Sequence, residues 1–153
     1  MESAAREPLF LASLAEFDIT PLGFLSRARD FLEASELLSE KSGRFSFVPA
    51  FLACRAIELT LKSYLLLNGD SVKQVKARGH DLTPTLTICN ARGIGAVVHL
   101  TTDELALLER SNKYYLGHEF AYFDVVSSIS LPRDPGLAML APVAAKLLNA
   151  VRE

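Results

Sequence analysis

The chain has 153 residues, half of them hydrophobic, with 16 Lys and Arg against 18 Asp and Glu for a formal charge of −2. That length suits one domain with a sizeable core, and the near balance of charge argues against a general polyanion binder. No stretch approaches the roughly 18 apolar residues a membrane helix needs, so a cytoplasmic protein with no membrane partner is expected.

Taken in chain order, residues 1–19 read as an N-terminal arm of the same domain that residues 20–152 form. Their apolar stretch 8–17 follows acidic residues and has no basic leader, which speaks against a secretory signal. Thr20 is a suitable N-cap and Pro21 suits a first helical position. From there Phe24, Leu25, Ala28, Phe31, Leu32 and Leu38 recur at steps of three and four, the period of an amphipathic helix, with Gly43 as its stop. Residues 48–69 are apolar on most of the circumference, which marks a central helix enclosed by neighbours. The basic stretch 71–81 reads as a turn. A third helix then starts at Thr83–Pro84 or is capped by Asp81, and it runs to Arg92–Gly93.

Residues 101–115 open with Thr101 or Thr102 as cap and place Asp103 and Glu104 in the first turn, where acidic groups favour the helix dipole. Residues 117–136 lose helical rhythm and read as an irregular connection containing Phe120, Tyr122 and Phe123. A last helix is expected over 137–152, with Pro142 in or near its first turn. The segment 95–100 is the one strand candidate, and it lacks a partner. The fold class that follows is all-α, a bundle of four to five helices.

Charge is segregated along this order. Residues 1–40 hold three basic and eight acidic side chains, a net of −5, whereas residues 41–80 hold seven basic and two acidic, a net of +5. Either the middle segment builds an anion-binding face, or the acidic first helix packs beside the basic second one. Cys54 and Cys89, the two cysteines, offer neither a disulfide framework nor a zinc spacing and read as buried reduced thiols. The three histidines, His80, His99 and His118, make no metal spacing, and no phosphate-binding glycine loop or serine nucleophile elbow is present. No metal and no cofactor is expected.

Three places carry possible chemistry. Arg55, Glu58 and Lys62 are polar exceptions on the apolar second helix, and their spacings put them on one face. They form either a charged cluster at a pocket or a structural ion-pair seam, and a carboxylate in so apolar a helix must find partners. His80 and Asp81 precede the third helix, as an anion site or acid–base pair, or as a turn in which Asp81 accepts from free N–H groups of the helix start. Lys113, Tyr114, Tyr115 and His118, with the aromatics that follow, could stack on bases, or plug the end of a bundle or a dimer interface.

Residues 54–69, 78–86 and 108–123 together resemble the HEPN domain family, named for higher eukaryotes and prokaryotes nucleotide-binding. The matching positions are Ala56, Glu58, Leu61 and Lys62 on a helix, Gly79 to Leu82 in the following turn, and Tyr114 and Tyr115 near the end of a later helix. The resemblance spans about half the chain. It implies an up-and-down helical bundle that dimerises, in a bacterial toxin–antitoxin or defence setting, binding RNA, a nucleotide or an antitoxin-type partner protein. Many such domains are metal-independent ribonucleases with an Arg-x4–6-His motif at a dimer cleft. Here seven residues separate Arg110 from His118, one beyond that pattern, with Gly117 just before the histidine. On an unbroken helix the two would be about 12 Å apart along the axis, long for joint work on one phosphate. The expectation is therefore a non-catalytic binding domain. A ribonuclease using Arg110 and His118, helped by Glu58, His80 and Tyr114, is the alternative, and a structural dimerisation module is the third reading.

Overall fold

The structure, a computed structural model, describes residues 18–41, 47–117 and 135–153. These residues form six α-helices: α1 (Pro21–Lys41), α2 (Val48–Leu67), α3 (Val72–Ala77), α4 (Leu82–Ala91), α5 (Thr102–Leu116) and α6 (Leu140–Arg152). Short 3-10 segments occupy Ile94–Ala96 and Pro135–Met139, and no strand occurs among the described residues. The all-α expectation stands, with six helices in place of four to five. Most of the N-terminal arm, the stop at Gly43 and the irregular connection from residue 118 to 134 lie outside the described residues.

Helix α1 begins as its sequence dictates. The Thr20 hydroxyl accepts from the Gly23 N–H at 3.0 Å, satisfying one of the amides that a helix start leaves free. Phe24, Leu25, Ala28, Leu32 and Ser35 then line its buried face. Helix α2 is buried on most sides, and Ile57, Leu61 and Leu65, four residues apart, have no exposure at all. Each such side chain contributes about 1.5–3 kcal/mol relative to an exposed one. The two helices run antiparallel. Ser35 Oγ donates to the Pro49 carbonyl at 2.7 Å, and Ser63 Oγ donates to the Pro21 carbonyl at 2.8 Å, so the end of one meets the start of the other. Helices α4 and α6 also pack on α2, which occupies the centre as its uniform hydropathy predicted.

The stretch after α2 corrects the sequence reading. Residues 72–77 are a helix rather than a turn, because Ser71 and Gln74 form a reciprocal capping box. Residues 95–100 are not extended; Gly93, at φ +92, leaves α4 in the left-handed region and the chain enters the 3-10 segment. Helix α5 opens with a second capping box, Thr101 with Glu104, and the same Glu104 oxygen accepts from Lys146 Nζ of α6 at 2.8 Å. The last helix starts at Leu140, three residues later than expected, with Pro135–Met139 in 3-10 form before it. Among the described residues no helix is long and apolar enough to cross a membrane.

Candidate functional site

The polar face of α2 gathers groups from three parts of the chain. Glu58 is 1 % exposed, yet its carboxylate is surrounded by donors. Arg55 Nη1 reaches its two oxygens at 2.9 and 2.8 Å, and Lys62 Nζ reaches Oε1 at 2.6 Å. These are the i−3 and i+4 neighbours that helical spacing provides. Two further partners come from a distance in sequence. Tyr115 of α5 donates its hydroxyl to Oε2, and His80 Nδ1 lies 3.1 Å from both oxygens. Lys62 also donates to the Gly79 carbonyl, which fixes the 78–81 turn against α2.

Burial alone would push the Glu58 carboxyl above its usual range. Hydrogen bonds from Lys62 and Tyr115, and the charges of Arg55 and Lys62, outweigh it and hold the group below that range. The same burial, with the carboxylate beside it, pushes the Tyr115 phenol well up, so it remains a donor. One carboxylate therefore faces both a guanidinium and an ammonium.

Exposure divides the cluster. Lys62 is enclosed, with 8 % of its side chain exposed, whereas Arg55 has 29 % and His80 59 %. The guanidinium of Arg55 lies 6.0 Å from the centroid of the half-buried Phe31 ring on α1. Half-buried Phe51 packs against Tyr115 with centroids 5.7 Å apart, and the His80 ring meets Tyr115 edge-on. The rim is therefore a guanidinium and an imidazole flanked by aromatic rings, over a floor made by Glu58, Lys62 and Tyr115.

Asp81 takes a different place from the one its sequence position suggested. It stands at the N-cap of α4, but its side chain makes no capping bond. Instead Asn112 of α5 accepts from the Leu82 N–H at 2.9 Å, and its amide donates to Asp81 Oδ1 at 2.8 Å and to Thr83 Oγ1 at 3.0 Å. A side chain thirty residues away thus supplies the cap, and Asp81 helps to orient it. Asn112 was missed in the sequence, although a polar residue at the Leu108–Tyr115 spacing was its available signal.

Of the remaining candidates, Lys113 is exposed and Tyr114 is half-buried against the core. Arg110 is exposed on α5 and lines a shallow groove with Glu104, Leu107 and Met139. Five positions separate it from Tyr115, about 500° of helical rotation, so the two side chains project about 140° apart. Arg110 thus leaves α5 on a different side from the Glu58 cluster. His118 lies outside the described residues, as do Phe120, Tyr122 and Phe123.

The ion pairs also bear on the segregated charge. Arg55 and Lys62 turn to Glu58 on their own helix, Arg78 and Arg92 turn to the buried Asp70, and Arg27 turns to Asp18. Each of these cations meets a carboxylate outside the α1–α2 contact. Among the described residues, no group of three or more His, Cys, Asp and Glu side chains is arranged to hold a metal ion. Comparison with protein-family models, with curated proteins and with solved structures finds no match to this chain.

Proposed function

We propose that the chain is a HEPN-like up-and-down helical domain that binds RNA or a nucleotide through its phosphates, at the edge formed by Arg55 and His80. It acts by binding rather than by cleavage. The observation that carries this reading is the half-exposed guanidinium and exposed imidazole seated on one buried carboxylate. The Glu58 charge is opposed from within by Lys62, so the charge of Arg55 is left over at the rim for an anion. Phe31 and Phe51 beside it offer faces on which a base can stack. The resemblance at Glu58, Lys62 and residues 79–82 supports the same edge, and it supports pairing with a second copy or with an antitoxin-type partner.

The test is fluorescence anisotropy of a labelled single-stranded RNA in EDTA across a salt series. Binding is expected to weaken with a log–log slope of about −0.7 per phosphate contacted. Arg55→Ala is expected to weaken binding and to flatten that slope. No binding of RNA or of a nucleotide at physiological salt overturns the proposal. Cleavage of the RNA that disappears in both Arg110→Ala and His118→Ala replaces it with the ribonuclease reading.

A further inference from the structure

Nδ1 of His80 faces two incompatible neighbours at one distance. Arg55 Nη1 and both oxygens of Glu58 all lie 3.1 Å away. The guanidinium can only donate, and the ionised carboxylate can only accept. With a hydrogen on Nδ1 the ring donates to Glu58; without one it accepts from Arg55. The other titratable and charged groups at this point have settled roles. Lys62 of α2 is committed to Glu58 and the Gly79 carbonyl, Tyr115 of α5 donates to Glu58, and Asp81 of the same turn is held by Asn112. Arg78, two residues before His80, is turned to Asp70.

Resting on the binding reading above, we infer that this anion site is gated by a proton on His80. The protonated ring donates Nδ1–H to Glu58, which orients it, and presents Nε2–H from its exposed edge to a phosphate oxygen beside Arg55. The neutral ring either keeps its hydrogen on Nδ1 and turns a lone pair toward that oxygen, or carries it on Nε2, accepts from Arg55 and donates outward without a positive charge, so in both forms it holds the oxygen less tightly. Glu58 is a positioning residue here, since it meets the imidazole and not the ligand. Histidine is the side chain whose charge ordinarily changes between pH 5 and 8. Glu58 stays ionised and Tyr115 stays neutral over that window. By linkage, a ligand that prefers the protonated ring binds more tightly as pH falls, and its binding draws a proton from solution.

The probe is an oligouridylate without terminal phosphates, since neither its phosphodiesters nor uracil titrate between pH 5.5 and 8. At constant ionic strength the expected affinity is about five- to tenfold higher at pH 5.5 than at pH 8, the scale of one charge-assisted hydrogen bond at a partly exposed site. His80→Gln, checked for folding by circular dichroism, is expected to lose that dependence, whereas His99→Gln retains it. In the wild-type protein, the histidine ring nitrogens followed by 15N NMR give a readout that needs no variant. Ligand is expected to move the titration midpoint of His80 upward. Binding that is flat with pH, an unchanged pH profile in His80→Gln, or a His80 midpoint indifferent to ligand overturns the gate and leaves the binding reading in place. Absence of binding at every pH overturns the binding reading itself, and the gate with it.

Discussion

Replacing Glu58 by Gln keeps the shape of the side chain and removes its charge. Lys62, with 8 % of its side chain exposed, then retains the Gly79 carbonyl and loses its counter-charge, while the amide NH2 presents hydrogens to a ring of donors. Stripping one partner from a buried pair costs about 3–5 kcal/mol, because the remaining charge stays in a poorly solvating place. Against a whole-domain stability of about 5–15 kcal/mol that is a large fraction, and for this chain length it lowers Tm by about 6–20 °C. Urea unfolding of wild type and Glu58→Gln, followed by far-ultraviolet circular dichroism at pH 7, measures it. The sign of the pH dependence follows from the direction of the shift. The Glu58 carboxyl is held below its unfolded range, so its contribution is complete above an unfolded value of about 4.3 and disappears as pH falls through the native one. The difference between the two proteins should therefore shrink toward zero below about pH 4. The double variant Glu58→Leu/Lys62→Met, which leaves no lone ammonium, should recover much of the loss. A cost under about 1 kcal/mol at pH 7, or a double variant no more stable than Glu58→Gln, refutes the argument.

Three other outcomes are expected. Asn112→Ala strands the Leu82 N–H at the start of α4 and should cost about 1–3 kcal/mol in urea unfolding. Burial pushes the Cys89 thiol up to about 12 and raises that of Cys54 further, so at pH 8 a thiol reagent should modify the native protein only at the rate of its unfolding. Thr101→Ala removes the hydroxyl half of the α5 capping box, and about 1 kcal/mol of stability should go with it.

The legible part of the fold was whatever short spacing controls. Thr20 with Pro21, the stripe through Phe24 and Leu32, and the all-round hydropathy of residues 48–67 each follow from positions three or four apart. Arg55 and Lys62 could be read as partners of Glu58 for the same reason. The partners Tyr115 and His80 could not, since they lie 57 and 22 residues away and arrive only when α5 and the 78–81 turn have packed. Ser71 and Gln74 did carry a capping-box spacing, but basic residues around them suggested a solvated turn. The acidic and basic blocks suggested mutual attraction of α1 and α2. In the folded chain Arg55 and Lys62 meet Glu58 one helical turn away on their own helix and Arg78 meets Asp70, so these cations of the basic block do not serve the α1–α2 contact.

Helix α5 is fastened by polar contacts near both ends: Glu104 to Lys146 at one, Asn112 and Tyr115 to the α4 start and Glu58 at the other. Between them Leu105 and Leu108 border a groove of about 200 Å³ against α4. Leu107, Leu108 and Ser111 are buried between those fastenings, so the helix is held along its length and neither end can shift without disturbing the core. The two fastenings stand some fifteen ångströms apart on one rigid rod, so the length of α5 sets how far the α6 side of the molecule lies from the partners of the α2 carboxylate.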